Sequence, residues 1–347
     1  MSKLLDIGVE RDHIESLTKA SGLTALCELI WNSLDADATE VYIEYKTTPL
    51  GGYDSIIIKD NGHGLSYEKA QEVFSKLGGS EKKTRTQSPN GRQLHGKEGK
   101  GRYKGLALGD FVKFISTYRD NGTIYSFSAV IDRNKLSTTE ISDLNQLKKK
   151  EDGTGFIVEI RNIDNKAASG ALKIEYRKEL EEKFGSYWIS YPNFKIFFNG
   201  NALDFESLIL FTDQTDIKVL VGDLTYQFVI KIIEWSFDTK KKTYLCNSKG
   251  IPFLETNLGI RSSIPISIFI QSIYIEKLHR ENTLEINEFD EVLSGIYNDA
   301  KKFARDYVRK RLHQYSKEFI SELKQKGIYP YTEPAENIIE ETKRQVF

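Results

Sequence analysis

Three polar side chains interrupt an otherwise apolar segment near the start of the chain. From Thr24 to Leu34 the apolar residues recur every three or four positions, which predicts an amphipathic helix. Glu28 and Asn32 are four residues apart and Asp35 follows three later, so one helix face carries all three. A carboxylate can deprotonate an attacking water, and an amide oxygen can ligate Mg²⁺ beside phosphates. The face therefore fits nucleoside triphosphate hydrolysis, although an isolated ExxxN pair is more often an ordinary solvated face.

A second carboxylate follows a predicted strand. The β-branched run from Ser55 to Ile58 ends abruptly at Asp60, and Gly62 and Gly64 come soon after it. Glycines let a flat ligand approach the backbone, and a buried carboxylate can accept a hydrogen bond from an adenine amino group. The alternative is a plain β-turn, because Asp-Asn-Gly is a favoured turn sequence.

A long stretch rich in glycine and lysine, residues 78–109, lacks apolar periodicity and is predicted to be a loop leading into a short helix. Backbone amides in such a turn can cradle phosphates, and lysines can add positive charge. The candidate glycines are Gly96, Gly99 and Gly101, and the candidate lysines are Lys97, Lys100 and Lys104. A solvated lysine-rich loop explains the composition equally well, but it explains the glycine spacing less well.

A hydroxyl residue between two glycines comes directly before another predicted strand. Thr154 stands between Gly153 and Gly155, and the strand-like run 156–160 follows. The arrangement places a hydroxyl beside the sheet, but by itself it is equally an unremarkable turn. Its interpretation depends on its position after the other three motifs.

In chain order these four motifs resemble the N box, the DxGxG motif, the glycine-rich lid and the GT motif of the GHKL ATPases. That superfamily includes gyrase, a heat-shock chaperone, histidine kinases, MutL and MORC proteins. The resemblance implies an α+β fold in which a Bergerat-type α/β sandwich binds ATP with Mg²⁺. By resemblance, Glu28 is the catalytic base, Asn32 the Mg²⁺ ligand and Asp35 a supporting acid. Asp60 and Thr154 then contact adenine, and the lid glycines contact the phosphates.

The rest of the chain is predicted to form a transducer-like α/β domain and a C-terminal helix, since the resemblance thins beyond about residue 200. The predicted divisions are an ATP-binding domain at 1–205, a transducer-like domain at 206–287, and a long helix with a polar tail at 288–347. In transducer domains a lysine reaches the terminal phosphate. Lys249 is the candidate here and Lys277 its competitor, while a surface lysine is the plainer reading of each.

Composition narrows the function classes. The 49 Lys and Arg residues balance the 50 Asp and Glu residues, so any polyanion binding must be local. Only Cys27 and Cys246 are present and the five His residues form no HExxH pattern, which argues against a disulfide framework and a zinc hydrolase. The start of the chain lacks a signal-peptide pattern. The longest apolar run, 264–275, is predicted to be a strand and is too short to span a bilayer. These features predict a cytoplasmic protein.

Two uses of ATP follow from the resemblance. In the preferred one, ATP closes the lid and joins two copies through their first domains, and hydrolysis reopens this clamp. The alternative is phosphate transfer to a protein, as in histidine kinases. Glu28 favours water as the acceptor, and barely twenty residues precede the N box, which leaves little room there for a phosphoacceptor domain.

A third reading makes the protein a nucleic-acid-binding module that ATP switches, and a chaperone-like role also fits the superfamily. The feature that favours DNA is a set of basic residues on the predicted terminal helix. They are Lys301, Lys302, Arg305, Arg309, Lys310 and Arg311. Basic helix faces are usually just solvated, and interleaved acidic residues weaken this one.

Overall fold

The computed structural model describes residues 19–75, 87–92, 94–95, 101–136, 138–147, 153–281, 283–284, 290–331 and 340. The chain divides into two compact units, Met1–Phe205 and Glu206–Phe347. Each unit combines one sheet with helices, which confirms the predicted α+β class. The long terminal helix belongs to the same unit as the second sheet.

Nine strands among the described residues of the first unit form one mixed sheet in the order β5-β4-β3-β7-β2-β1-β8-β9, with β6 paired to β4. The strands are β1 (Glu40–Thr47), β2 (Tyr53–Asp60), β3 (Gly109–Asp120), β4 (Thr123–Asp132), β5 (Glu140–Ile141), β6 (Asn145–Leu147), β7 (Gly155–Ile163), β8 (Lys195–Phe198) and β9 (Asn201–Ala202). Neighbours are antiparallel except β1 and β8. Because β2 pairs antiparallel with β7, the end of β2 at Asp60 lies beside the start of β7.

The helices of this unit are α1 (Gly22–Asp35), α2 (Tyr67–Ser75), α3 (Asn165–Leu172) and α4 (Ile174–Ser190), with 3₁₀ turns at Gly101–Ala107 and Arg133–Lys135; α5 (Phe205–Leu208) follows β9. The Ser21 hydroxyl caps α1 by accepting from the Thr24 N–H at 3.1 Å. As the periodicity predicted, α1 buries Leu26, Leu29, Ile30 and Leu34. Gly22 lets α1 cross α3 closely, because a Cβ there would lie 1.9 Å from the Ala167 carbonyl oxygen.

The second unit contains a five-stranded sheet in the order β10-β11-β14-β12-β13. Its strands are β10 (Ile209–Val221), β11 (Leu224–Trp235), β12 (Thr243–Cys246), β13 (Pro252–Thr256) and β14 (Ile266–Gln271), and its helices are α6 (Ile273–Arg280) and α7 (Glu291–Gln325). Alternate strand residues such as Ile230 and Ile268 share one apolar core with Ile296 and Ala304 of α7. The first half of α7 is thus fixed to the sheet by burial of its apolar stripe.

One predicted element is wrong in part. The apolar run 264–275 was read as a single strand, but β14 ends at Gln271 and α6 begins after Ser272. The Ser272 hydroxyl accepts from the Tyr274 N–H at 3.0 Å, so the serine ends the strand and caps the helix. Among the described residues, no helix combines the length and apolar character needed to cross a membrane.

Candidate functional site

The polar face of α1 carries two of the sequence-predicted site residues side by side. Glu28 and Asn32 are both half-buried, and 31% of the Glu28 side chain is exposed. Burial opposes the charge on Glu28, but His95, Lys183 and Lys104 stabilise it and together hold the pKa of this carboxyl below its ordinary value of 4.5. Glu28 is therefore an ionised, partly accessible carboxylate at neutral pH, which is the state that a general base requires.

Asp35, one turn beyond Asn32 at the end of α1, has a different environment. It is buried, and its Oδ1 accepts a hydrogen bond from the His95 backbone N–H at 2.8 Å. Asp37, two residues later, has a left-handed backbone conformation with φ of 62°. Its carboxylate accepts hydrogen bonds from the Ser88 hydroxyl at 2.5 Å and from the Asn90 backbone N–H at 3.0 Å. These carboxylates therefore anchor Ser88, Asn90 and His95 against the end of α1.

His95 was not predicted as a site residue, and the structure places it beside Glu28. Its imidazole stacks on Trp31 with 4.6 Å between ring centroids and 19° between planes, and its Nε2 lies 3.7 Å from Glu28 Oε1. No local sequence signal could have found this contact, because 67 residues separate His95 from Glu28 in the chain.

Asp60 ends β2 as a buried carboxyl whose Oδ1 accepts two backbone hydrogen bonds, from Gly62 at 2.9 Å and from Phe156 at 3.1 Å. Burial raises the pKa of Asp60, and hydrogen bonds from Gly62, Ser33 and Phe156 offset part of that rise. The Ser33 contact joins the end of β2 to α1. Asp60 is thus a fixed acceptor in a site of low polarity, as recognition of an amino group requires.

The glycines of the second and fourth motifs are required by close packing. A Cβ at Gly62 would lie 2.5 Å from the Ala36 carbonyl oxygen, and one at Gly155 would lie 2.2 Å from the carbonyl oxygen of Asp60. Gly64 has a φ of 71° and passes the Thr117 carbonyl oxygen just as closely. The half-buried Thr154, directly before Gly155, therefore lies next to the end of β2 and Asp60.

The predicted phosphate lid is only partly described. Gly96, Lys97, Gly99 and Lys100 lie outside the described residues. Gly101 opens the 3₁₀ turn Gly101–Ala107, which packs against α1. Lys104 in this turn donates from Nζ to the Lys19 carbonyl oxygen at 3.0 Å, and its charge also acts on Glu28. Among described residues, no cluster of three or more His, Cys, Asp or Glu side chains could hold a metal ion.

Comparison with known families agrees with this geometry. Residues 20–154 match the family described as "Histidine kinase-, DNA gyrase B-, and HSP90-like ATPase", a stretch that begins before α1 and ends at Thr154. Over these residues the chain is similar to the GHKL-type ATPases. The match includes the helix with Glu28 and Asn32, the end of β2 and the glycine-rich segment.

Two further comparisons describe proteins that are similar to this chain. A chain titled "Crystal Structure of N terminal domain of a DNA repair protein" shares its fold with a TM-score of 0.53 and 14% identity, covering 87% of this chain and 98% of that one. A protein of Herpetosiphon aurantiacus named "Putative type II restriction enzyme HgiDII" is 32% identical over 90 residues. That alignment covers 26% of this chain and only 14% of the length of the relative.

The two lysines considered for the transducer role lie on neighbouring segments of the second unit. Lys249 is exposed in the turn after β12, where its backbone N–H donates to Asn247 Oδ1 at 3.0 Å. The adjacent Ser248 hydrogen-bonds through its backbone and hydroxyl to Glu276 Oε1, and Lys277 is the next residue of α6. Both lysines are exposed, so their roles stay predictions.

The basic set on α7 needs one correction. Lys302, Arg305, Arg309 and Lys310 are exposed and Lys301 is half-buried, but Arg311 is only 6% exposed. Its Nε donates to Glu234 Oε2 at 2.8 Å and its Nη2 donates to Oε1 at 3.2 Å. Arg311 therefore points into the unit, toward β11, and is not part of a solvent-facing basic surface.

Proposed function

We propose that the first unit binds ATP with Mg²⁺ and hydrolyses it, with Glu28 as the general base. The observation that carries this proposal is the state of Glu28: an ionised carboxylate, partly accessible, on the same helix face as Asn32. Glu28 takes a proton from the attacking water while nearby cations stabilise its charge before the reaction.

The adenine end of the proposed site lies at the meeting of β2 and β7. Asp60 is held by two backbone N–H groups on one oxygen and accepts from the adenine amino group, while the Thr154 hydroxyl borders the same place. Gly62 and Gly64 let the segment after Asp60 pack against the Ala36 and Thr117 carbonyl oxygens, which fixes the backbone beside the proposed adenine position. The resemblance assigns the phosphates to the lid glycines and its lysines, of which Gly101 and Lys104 are described.

Asn32 fits the Mg²⁺ that accompanies ATP. Its amide oxygen is a hard ligand of the kind that Mg²⁺ accepts, and Mg²⁺ is typically held by one or two protein groups and the substrate phosphates. When bound, the ion neutralises charge on the phosphates. Asp35 does not share this role in our proposal, because its Oδ1 supports the His95 backbone.

Glu28→Gln provides the test of hydrolysis. We expect the variant to retain nucleotide affinity and lose turnover by at least about 10²-fold, since the amide cannot accept a proton. Affinity is measured by calorimetric titration and turnover by phosphate release. Turnover at the wild-type rate in E28Q refutes the proposal, and stable transfer of label from γ-labelled ATP to the protein supports the kinase alternative.

We further propose that ATP drives lid closure and pairing of two copies as a conformational clamp. The support is the family resemblance, together with a transducer-like second unit in which Lys249 is the candidate for contacting the terminal phosphate and Lys277 the alternative. The molar mass, measured with and without a non-hydrolysable ATP analogue, should double with the analogue. A mass that stays monomeric at saturating analogue removes the clamp.

A second proposed activity is DNA binding through α7. Lys302, Arg305, Arg309 and Lys310 supply exposed charge along one stretch of helix, and the names of the two relatives concern DNA repair and restriction. Each phosphate contact should contribute about 0.9 to the slope of log affinity against log salt concentration, so a double K302A/R305A variant should flatten the slope by about two. An unchanged slope contradicts this proposal.

A further inference from the structure

His95 is held by three residues that lie within about two turns of α1. Its ring stacks on Trp31, its backbone N–H donates to Asp35, and its Nε2 faces Glu28. Only 12% of the side chain is exposed. Because the backbone and the ring are both fixed by α1, His95 has little freedom to leave the Glu28 carboxylate.

The stack on Trp31 is itself built into the core. Trp31 is 1% exposed and also contacts Phe184 at 4.4 Å and Tyr187 at 5.0 Å between ring centroids. His95 therefore lies on a rigid aromatic surface, and its edge, not its face, is directed at Glu28. Rigid support of this kind is what holds a catalytic group within a fraction of an ångström of its working position.

The distance of 3.7 Å from Nε2 to Oε1 is longer than a full hydrogen bond, so the contact here is mainly electrostatic. Contacts of catalytic groups are often long without substrate and shorten in the reacting complex. Three cationic or potentially cationic groups, His95, Lys183 and Lys104, act on Glu28, and His95 has the largest effect among them. Asp35 is the carboxylate that faces His95 itself, through the backbone.

We propose that His95 is a positioning residue for Glu28: its Nε2–H holds Oε1 of the carboxylate, which leaves Oε2 directed at the attacking water. The inference rests on the proposed hydrolysis. His95 touches neither ATP nor water in this scheme, and it changes turnover only through the base. Nucleotide affinity depends on other groups, chiefly Asp60 and the phosphate loop.

A purely structural role, in which His95 fills space over Trp31, makes a different prediction. His95→Phe keeps an aromatic ring for the stack and removes the N–H donor. His95→Gln removes the ring but keeps an N–H donor, because the side-chain amide of Gln extends about as far from the backbone as Nε2 of His. If His95 only packs against Trp31, H95F should keep ATP turnover and H95Q should lose it. If His95 positions Glu28, H95Q should keep turnover and H95F should lose it.

The experiment compares kcat, KM and ATP affinity for wild type, H95F, H95Q and E28Q. We expect kcat of H95F to fall about 10- to 100-fold, the usual effect of a misplaced catalytic group, with ATP affinity unchanged. H95Q should recover most of the lost kcat. A normal kcat in H95F, while E28Q is inactive, overturns the role of His95 and leaves the proposed hydrolysis intact. No ATP turnover in wild type overturns both.

Discussion

Arg311 provides a direct test of how α7 is attached to the second sheet. Its guanidinium forms a bidentate pair with the buried Glu234 and lies 3.6 Å above the centroid of the Phe211 ring. Tyr307 donates to the same carboxylate at 2.7 Å, and Tyr315 also donates to it. Arg311→Ala removes the cation. Glu234, which is only 1% exposed, then keeps the hydroxyls of Tyr307 and Tyr315 as donors.

The magnitude follows from what remains after the substitution. Breaking a buried ion pair by removing one partner typically costs about 3–5 kcal/mol, because the other charge is left uncompensated. The two tyrosine hydroxyls still satisfy part of Glu234, which places the expected loss near the lower end, about 3 kcal/mol. The neighbouring Arg309 pairs with Asp306 at 3.5 Å with 80% of its side chain exposed, so R309A should cost under about 0.5 kcal/mol.

The assay is urea unfolding of the full chain, with hydrogen exchange of β11 and α7 peptides to assign the loss to the second unit. A DNA titration of the same two variants should rank them in the opposite order from the stability assay. R309A should weaken DNA binding, whereas R311A should leave DNA affinity unchanged under conditions in which this variant is folded. Equal stability of the two variants, or a loss confined to the first unit, would show that the buried pair does not hold α7.

The pH dependence of stability provides an independent check of the pair between Glu234 and Arg311. Burial opposes the charge on Glu234, but hydrogen bonds from Arg311, Tyr315 and Tyr307 keep its pKa below the ordinary 4.5. A lowered folded-state pKa stabilises the protein above about pH 4.5, and this contribution is lost as pH falls through the folded-state pKa. In R311A the unpaired Glu234 should have a raised pKa. The difference in free energy of unfolding between wild type and R311A should therefore become smaller as pH falls.

Two further predictions concern the adenine end of the site. Asp60→Asn should abolish ATP binding yet raise the free energy of unfolding by about 1 kcal/mol at neutral pH, because burial raises the pKa of Asp60 and the charged form is costly. That gain should shrink as pH falls and Asp60 protonates; unchanged ATP affinity would exclude Asp60 from the site. Gly155→Ala should cost about 1–3 kcal/mol, since its Cβ would lie 2.2 Å from the Asp60 carbonyl oxygen, whereas Gly153→Ala, with open space around it, should be near neutral. Equal stability of the two glycine variants would contradict the close approach.

The spacing of three and four residues that places apolar side chains of α7 against the sheet also includes Arg311. Arg311 follows Ala304 by seven residues, Tyr307 by four and Val308 by three, and all three are buried. This spacing therefore places Arg311 on the buried face of α7, although a charged side chain is expected to face solvent. A basic residue at a core position of a helix predicts a buried acidic partner, and here that partner is Glu234 on β11.

Local motifs and tertiary contacts differ in what the sequence can reveal. Asp60 ends a strand and Gly62 follows it by two residues, so turn chemistry and strand propensity were sufficient to single them out. His95 carries no such local signal, because its position depends on Trp31 and Asp35 of a helix far away in the chain. The end of β14 was missed for a related reason, since the apolar run continues past Ser272 into a helix whose cap is a single hydroxyl.

Opposite pKa shifts on the two carboxyls fit the separate roles proposed for Glu28 and Asp60. Both Glu28 and Asp60 are desolvated, but the groups beside Glu28 lower its pKa below the ordinary value, whereas the hydrogen bonds to Asp60 and the nearby His63 offset only part of the rise caused by burial. A base must carry its charge before the reaction, whereas a hydrogen-bond acceptor for adenine needs a fixed oxygen in a dry site. Exchanging the two environments would impair both functions, so substitutions that remove the groups stabilising the Glu28 carboxylate, including His95→Phe, should reduce turnover without reducing ATP affinity.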